Sequence, residues 1–264
     1  MAQIIRLSES FPPESIQNQS YVASVHKTLK ETLPSSFHIE NLTLRTLKSR
    51  KELEEIQLLH KEWFPINYTS EYFESIVKKR SECIIAEYKV IKTNRISEKV
   101  IVGCILYDIR PANSKYMAFG IKDFFKPLKS LYIMTIGTIN EYRKHGIASL
   151  LVKYAIERTQ EIEKNTLKYV YLHVVEYNEP AQRFYEKNKF LMVKIKKKHY
   201  FIEGKDYNAK VYVLYLNGAR KSFTKLEMLA FSLDKINIFK YAANCLKWAF
   251  CCCFKQRNNY RNIY

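Results

Sequence analysis

One stretch of the sequence has residue types and spacing that suit ligand binding. It is a six-residue loop between two apolar segments: Arg143, Lys144, His145, Gly146, Ile147 and Ala148. A strand that leads through such a loop into a helix presents unpaired backbone N–H groups and the positive end of the helix dipole. Gly146 lets the backbone approach a phosphate closely, and the small Ala148 leaves room for it. The loop therefore suits a phosphate-bearing ligand. A plain connector with basic residues is the alternative, because short glycine motifs also arise by chance.

The elements that must position this loop alternate between strands and helices. Periodicity predicts, in chain order, a strand near 39–47, helices over 51–63 and after Ser70, a hairpin at 83–91 and 99–109, a strand over 131–140, a helix over 145–163, a strand over 169–175, a helix over 178–187, and strands over 190–195 and 211–216. Pro65 ends the first helix, and Ser70 is the expected N-cap of the second. Alternating strands and helices with a hairpin at each end predict a mixed α/β sheet.

The composition limits the class of protein. Of the 264 residues, 44 are Lys or Arg and 26 are Asp or Glu, which leaves a formal net charge of +18. Such a charge favours anionic partners, among them nucleotide phosphates, lipid surfaces and nucleic acid. The six cysteines show no CxxC spacing and no accompanying histidine cluster, so we expect neither a disulfide framework nor a metal site. The N-terminal residues show no signal-peptide pattern, which favours the cytosol.

The chain divides into three parts. Residues 1–36 form a lead-in without sustained periodicity, residues 37–218 carry the alternating pattern, and a basic tail covers 219–264. The long connection at 111–129 within the second part has the length of a functional surface loop. We therefore expect one catalytic or binding domain with an extension at each end.

Several motifs carry a family resemblance, and they occur in that family's order. The loop matches R-x-x-G-x-A, and YLHVVEYNEPAQRFYEKNKF follows it at 171–190; FPINY at 64–68, YIMTIG at 132–137 and YVLYLNG at 212–218 extend the match. These motifs resemble the N-terminal acetyltransferases of the GNAT superfamily, the NatF type most of all and the NatE type next. The resemblance covers residues 37–218 and implies the GNAT fold with acetyl-CoA as acyl donor.

The resemblance assigns catalytic roles by position. It implies that Tyr132 and His173 are the general bases, which would pass a proton from the attacking amine through an ordered water. Their structural alternatives are a core tyrosine with a bonded hydroxyl and a structural histidine on an apolar strand. An α-amine with a pKa near 7.8 is roughly 15% neutral at pH 7, against about 0.04% for a lysine side chain, so modest bases favour N-termini as substrates.

The resemblance also assigns donor-binding residues. The loop at 143–148 would hold the diphosphate, while Asn178 and Tyr185 match the positions that contact the pantetheine arm and the leaving sulfur. The backbone N–H groups of Ile136, Gly137 and Thr138 would stabilise the oxyanion of the tetrahedral intermediate, and a strand bulge is expected at Gly137. Tyr185 is equally suited to simple packing on the sheet.

A peptide-binding pocket is implied as well, formed by Phe64, Pro65, Ile66, Asn67 and Tyr68 and covered by the hairpin residues His199 and Tyr200. The first substrate residue in that family is usually methionine. Two departures concern the substrate: Asn67 stands where the family's NatF type has an acidic residue, and His199 interrupts what is normally a tyrosine-rich run. A helix stop with an apolar plug is the alternative interpretation of FPINY.

The tail predicts contact with a membrane. Apolar residues recur every three or four positions from Leu226 to Cys253, with lysines on the flanks. The longest apolar run, Tyr241–Phe254, is too short to span a bilayer and contains Lys247, so residues 221–255 suit an amphipathic helix on an anionic membrane surface. Three cysteines are candidates for S-acylation: Cys251, Cys252 and Cys253. A helix that docks on the domain or on a partner protein is the alternative.

The sequence thus predicts an acetyl-CoA-dependent N-alpha-acetyltransferase that acts on free protein N-termini. We expect Met-hydrophobic N-termini, those of membrane proteins included, as substrates. The resemblance implies the cytosolic face of an internal membrane, the Golgi, as the location. Two alternatives stay open: a lysine (histone) acetyltransferase on the same fold, and a non-catalytic basic module for membranes or RNA. No recognised RNA motif is visible, so nucleic acid is not an expected partner.

Overall fold

A computed structural model describes residues 37–64, 68–78, 80–91, 97–113, 116–117 and 127–221. Within these residues the strands are β1 (Leu42–Thr46), β2 (Glu82–Ile91), β3 (Ser97–Pro111), β4 (Lys129–Thr138), β5 (Leu167–Val175), β6 (Leu191–Ile202) and β7 (Lys205–Tyr215), and the α-helices are α1 (Arg50–Trp63), α2 (Ser70–Val77), α3 (Ile147–Glu163) and α4 (Glu179–Lys187). The predicted lead-in at 1–36 and the tail from residue 222 onwards lie outside the described residues.

The strands form one sheet in the order β1-β2-β3-β4-β5-β7-β6. All neighbours are antiparallel except β4 and β5, which are parallel and are connected through α3. This parallel pairing ends at Tyr132, whereas β4 stays paired with β3 as far as Thr138. In the described part of the chain, β4 therefore has no strand beside it on the β5 side over residues 133–138. The predicted mixed α/β sheet is confirmed.

Helices cover both faces of the sheet. On one face, α1 begins at its N-cap Ser49, whose side chain accepts a hydrogen bond from the backbone N–H of Glu52. The apolar stripe of α1, which includes Ile56, packs into the main core. On the opposite face, the first residue of α3, Ile147, lies beside Gly103 of β3. The central strands are thereby buried between two helical layers.

Gly137 permits the close approach of α1 to β4. A Cβ atom at this position would lie 2.1 Å from a ring carbon of Trp63, the last residue of α1. Any larger residue would therefore push the end of α1 away from the sheet. The packing of Trp63 on Gly137 positions the segment that follows α1.

Some predicted boundaries are wrong, for identifiable reasons. Thr69 precedes α2, so Ser70 is its first residue rather than its N-cap. The predicted strand 131–140 ends at Thr138, because Asn140–Tyr142 forms a short 3₁₀ turn. The predicted strands 190–195 and 211–216 are too short, since β6 and β7 form a long hairpin around a turn with positive φ angles at Glu203 and Gly204.

A helix that spans a bilayer needs about 20 mostly apolar residues. None of the helices within the described residues is long and apolar enough to do so. The predicted amphipathic segment at 221–255 lies almost entirely outside those residues.

Candidate active site

The glycine loop forms the N-terminus of α3. Gly146 is the N-cap residue with φ 83°, and a Cβ atom there would meet no other atom within 4 Å. The backbone conformation, rather than lack of space, therefore calls for glycine. The backbone N–H groups of the first helical turn have no partner within the helix, and the exposed Arg143 and Lys144 stand beside them. This arrangement suits an anionic group.

Four residues of the loop are held by the surrounding fold. The Nε atom of Arg143 donates to the backbone oxygen of Thr138 over 3.3 Å, which ties the loop to the end of β4. The ring of His145 packs on Phe37 at 4.6 Å between centroids. Ile147 is buried in the core and Ala148 is half-buried, so these two residues offer a ligand their backbone groups rather than their side chains.

Tyr132 and His173 meet where β4 and β5 begin to separate. Tyr132 is opposite Tyr171 in the parallel pairing, and His173 follows two residues later on the same face. The His173 Nδ1 atom and the Tyr132 hydroxyl are 3.3 Å apart. The other ring nitrogen of His173, Nε2, is buried and has no hydrogen-bond partner within the described part of the chain.

The electrostatic surroundings keep both groups neutral at physiological pH. Burial, assisted by Lys196, His199 and Arg110, lowers the pKa of His173 to about 3. Burial raises the pKa of Tyr132 well above its usual range, although Arg110 opposes this rise. His173 is thus a neutral hydrogen-bond acceptor or donor, and Tyr132 is a neutral phenol.

An irregularity in the edge strand β6 brings His199 and Tyr200 to this pair. Three β6 residues, 197 to 199, stand against the single β7 residue Asn208, whose side-chain oxygen accepts from the backbone N–H of Lys198. The His199 ring lies 4.5 Å from the His173 ring. The Tyr200 hydroxyl donates to the backbone oxygen of His173 over 3.0 Å. The hairpin thereby covers one side of the candidate site.

Aromatic side chains from the end of α1 and the start of α2 form the opposite wall. The rings of Phe64 and Tyr68 lie 5.8 Å apart, and both contact His60. Burial raises the pKa of Tyr68, and the nearby phenol of Tyr132 adds to that rise. Tyr68 therefore lies near Tyr132, and Phe64 packs against Tyr68. Pro65, Ile66 and Asn67 lie outside the described residues.

Tyr185 approaches the same place from α4. Its ring packs against Phe190 and Tyr212, and burial raises the pKa of its hydroxyl. The phenols of Tyr68 and Tyr132 add to this rise, so the three hydroxyl groups are close enough to interact electrostatically. Tyr185 is thus placed near the gap between β4 and β5.

Asn178 acts first as a helix cap. Its side-chain oxygen accepts from the backbone N–H of Ala181 over 3.1 Å at the start of α4. The role predicted for Asn178 in binding the pantetheine arm would fall to its amide N–H group. Asn178 can therefore cap the helix and contact acetyl-CoA at the same time.

The predicted oxyanion residues lie on the free side of β4, but the expected bulge is elsewhere. Gly137 pairs in regular register with Cys104, and the irregularity falls at Met134, because Thr135 and Ile133 are opposite the consecutive residues Leu106 and Tyr107. Gly137 is instead explained by the packing of Trp63. Backbone groups of Ile136, Gly137 and Thr138 that face β5 have no strand partner among the described residues.

Residues 51–190 match the family model of the acetyltransferase (GNAT) family. The chain belongs to this family. N-alpha-acetyltransferase 60 of Danio rerio is 29% identical over 189 residues, which cover 70% of this chain and 74% of that protein. Histone acetyltransferase MCC1 of Arabidopsis thaliana is 27% identical over 210 residues, which cover 76% and 84%.

Solved structures agree with the assignment. Arabidopsis thaliana NAA60 in complex with acetyl-CoA superimposes with a TM-score of 0.54 at 26% identity, covering 67% of this acetyltransferase and 99% of that chain. The same protein in complex with a bisubstrate analogue gives a TM-score of 0.55 at 28% identity with the same coverage. The predicted GNAT fold and the family resemblance are confirmed.

The geometry of this GNAT acetyltransferase fits an acyl-CoA. The left-handed Gly146 at the helix N-terminus suits a diphosphate, and the unpaired side of β4 offers backbone groups to an extended arm. The buried Nε2 of His173 faces no protein partner among the described residues, as a group reserved for substrate or water would. In the described part of the chain, no group of three or more His, Cys, Asp or Glu side chains is arranged to hold a metal ion.

Two charged residues of the site were not predicted from the sequence. Asp108 lies directly opposite Tyr132 on β3, and the Arg110 guanidinium carbon lies 4.0 Å from the centre of the Tyr132 ring. The available signal was two charges at alternate positions in the otherwise apolar run GCILYDIRP. Alternate strand positions share a face, so both charges had to project together.

Proposed function

We propose that this acetyltransferase transfers the acetyl group of acetyl-CoA to the free α-amine of protein N-termini. The observation that carries the proposal is the 3.3 Å contact of His173 with Tyr132 at the point where β4 and β5 separate. The glycine loop contacts the C-terminal end of β4 through the hydrogen bond from Arg143 to Thr138. Aromatic side chains flank the Tyr132–His173 pair. The relatives named N-alpha-acetyltransferase 60, and the complexes of such a protein with acetyl-CoA and a bisubstrate analogue, support the same assignment.

Neutral His173 defines what the site does with protons. A histidine with a pKa of about 3 cannot hold a proton taken from an alkylammonium group at neutral pH. It can pass on the far more acidic proton that the nitrogen carries once it has attacked the acetyl carbon. The amine must therefore enter in its neutral form. An α-amine does so for roughly 15% of its population at pH 7, about 400 times more than a lysine side chain.

The Tyr132–His173 pair then provides a path for the proton. The Tyr132 hydroxyl and the His173 Nδ1 atom share one hydrogen bond, and Nε2 remains available to a water or to the amine. Either tautomer of His173 completes the path, since the hydroxyl both donates and accepts. Tyr185, close to Tyr132 and Tyr68, stays protonated and is suited to donate a hydrogen bond to the departing thiolate.

The acceptor pocket favours an apolar first residue. Phe64 and Tyr68 present aromatic surfaces next to the proton path, and His60 behind them is buried. A methionine side chain fills irregular apolar pockets well and makes favourable contacts with aromatic rings. These features support the Met-hydrophobic substrate class.

A panel of matched peptides tests the proposed activity. Peptides that begin with methionine and a hydrophobic residue should accept acetyl from acetyl-CoA, while the same peptides with a blocked N-terminus and one internal lysine should react at least tenfold more slowly. Tyr132→Phe and His173→Ala should each lower kcat by about 100-fold and retain acetyl-CoA binding. Absence of transfer to every free N-terminus, by protein that binds acetyl-CoA, would refute the proposal.

A lysine acetyltransferase is the second candidate function, favoured by the likeness to histone acetyltransferase MCC1. The same panel separates the two activities. Preferential transfer to the internal lysine of the blocked peptides would establish the second function and exclude the first as the main activity.

We further propose that the tail holds the enzyme on the cytosolic face of an internal membrane such as the Golgi. The apolar periodicity of residues 221–255 and the lysines among them support it. A protein that ends at Gly218 should lose binding to anionic vesicles, while its acetyl transfer to peptides persists. Vesicle binding by the shortened protein equal to that of the full chain would contradict the tail's role.

A further inference from the structure

An ion pair lies on β3 beside the Tyr132–His173 pair. Asp108 is opposite Tyr132, and Arg110 is opposite Ser130, so both β3 side chains project on the face that carries Tyr132. Two guanidinium nitrogens of Arg110, Nε at 3.1 Å and Nη2 at 2.5 Å, donate to the same carboxylate oxygen of Asp108. This double contact fixes the plane of the guanidinium group.

The guanidinium group of Arg110 lies over the ring of Tyr132. The Arg110 guanidinium carbon is 4.0 Å from the ring centre, well within the range of a cation–π contact. On the β5 side, the Tyr171 ring lies 4.8 Å from the Tyr132 ring, and the Tyr171 side chain is close enough to Arg110 to interact with it electrostatically. The Tyr132 ring is therefore held from β3 and from β5.

The ion pair is poorly explained as a source of stability alone. The Asp108 side chain is 16% exposed, and its second oxygen, Oδ1, is buried without a hydrogen-bond partner among the described residues. The Arg110 side chain is 42% exposed, and an ion pair with such exposure contributes at most about 1 kcal/mol to stability. The pair has, however, a defined target, because the fixed guanidinium lies on Tyr132.

We propose that Arg110, oriented by Asp108, is a positioning residue that holds the Tyr132 hydroxyl in line with His173 and supports its proton transfer. This inference rests on the proposed acetyl transfer. The positive charge favours the phenol oxygen when it gives up its proton, and the guanidinium group over the ring restricts the ring's rotation. A lysine would supply the charge without the plane.

The electrostatic surroundings of Tyr132 agree with this role. The titratable or charged groups that face it from the packed elements are Asp108, Arg110, Tyr171, His173, Tyr116, Tyr68, Tyr72, Tyr185 and Tyr200. Burial, Tyr171, Asp108 and Tyr116 all raise the pKa of the Tyr132 hydroxyl, and Arg110 lowers it. Removal of Arg110 therefore makes proton release from Tyr132 harder.

Steady-state kinetics of single variants give the first test. Arg110→Met should lower kcat for a free N-terminal peptide by about tenfold and leave KM for acetyl-CoA within about twofold. Asp108→Asn should act in the same direction, and Arg110→Lys should recover part of kcat. Arg80→Met, which removes an exposed arginine after α2, is the matched control and should retain wild-type kcat.

A double-mutant cycle distinguishes positioning from a structural contribution. Tyr132→Phe keeps the ring under Arg110 and removes only the hydroxyl. If Arg110 acts through that hydroxyl, Arg110→Met should change kcat by less than about twofold in the Tyr132→Phe background. The same tenfold loss in both backgrounds, or wild-type kcat for Arg110→Met, would overturn the inference.

A fluorinated tyrosine at position 132 provides a second measurement should Tyr132→Phe turn over too slowly. Its more acidic phenol should recover kcat of Arg110→Met by at least about threefold, because it replaces the electrostatic help of Arg110. No recovery would contradict the inference. A wild-type protein inactive on all free N-terminal peptides would instead refute the proposed function.

Discussion

At the scale of single residues, the buried His60 and the half-buried His173 and His199 are all neutral at physiological pH, but their roles differ. Burial lowers the pKa of His60 to about 4, of His173 to about 3 and of His199 to about 4. His60 donates from Nδ1 to the backbone oxygen of Ile56, so its Nε2 accepts from the Thr135 hydroxyl at 2.9 Å. It connects α1 to β4 behind the pocket, whereas His173 lies in the proton path.

The neutral state of His60 makes stability depend on pH. Between pH 6.5 and about 4 the unfolded histidine binds a proton that the folded one excludes, so stability falls as the pH falls through this window. The difference between the two pKa values corresponds to about 3 kcal/mol. Urea unfolding should therefore show that wild type loses about 3 kcal/mol more than His60→Gln from pH 7 to pH 4. Equal losses would show that His60 titrates normally.

At the scale of elements, the apolar helices were predictable from sequence and the edge hairpin was not. The spacing of Leu53, Ile56 and Leu59 placed α1 within one residue of its observed bounds, because that stripe faces the core. Strand β6 lies at the sheet edge, is largely exposed and carries several lysines, so it shows no clean alternation of apolar residues. Its extent follows from pairing with β7.

Only part of the candidate site was predictable from the sequence. Tyr132, His173 and the loop at 143–148 were found because their motifs are local. The bulge at Met134 and the contact of Arg110 with Tyr132 depend on the register of β3 against β4, which no single strand encodes. Gly137 was predicted as a bulge residue and instead makes room for Trp63, a contact between residues far apart in sequence.

Two of the three described glycines with positive φ and open surroundings provide a matched prediction about the loop at 143–148. Gly146 has φ 83° and Gly204 has φ 77°, and a Cβ atom at either position would meet no other atom within 4 Å. Gly146→Ala and Gly204→Ala should each cost about 1 kcal/mol of stability through backbone strain. Only Gly146→Ala should weaken acetyl-CoA binding, by about tenfold in titration calorimetry, because only that backbone forms the N-terminus of α3. Equal affinities for the two variants would exclude a diphosphate at this loop.

At the scale of the whole molecule, we expect both substrates to occupy the gap between β4 and β5 together. The described cysteines, Cys83 and Cys104, are buried in the core, and burial holds the pKa of Cys104 well above its usual range. Neither suits an acetyl-enzyme. Initial rates at varied acetyl-CoA and peptide should therefore give intersecting double-reciprocal lines. Parallel lines, or protein that retains acetyl after removal of acetyl-CoA, would show a covalent route.

The short parallel pairing has a mechanical consequence. Strands β1 to β4 and strands β5 to β7 form two halves of the sheet, which share one hydrophobic core. Within the sheet, the two halves are paired through four β4 residues, Lys129 to Tyr132. An acetyl-CoA molecule bound where β4 and β5 are not paired would hydrogen-bond to the free backbone groups of β4, as a neighbouring strand does. Acetyl-CoA binding would then raise the free energy of unfolding, so the stability of this enzyme would depend on the acetyl-CoA concentration in the cell.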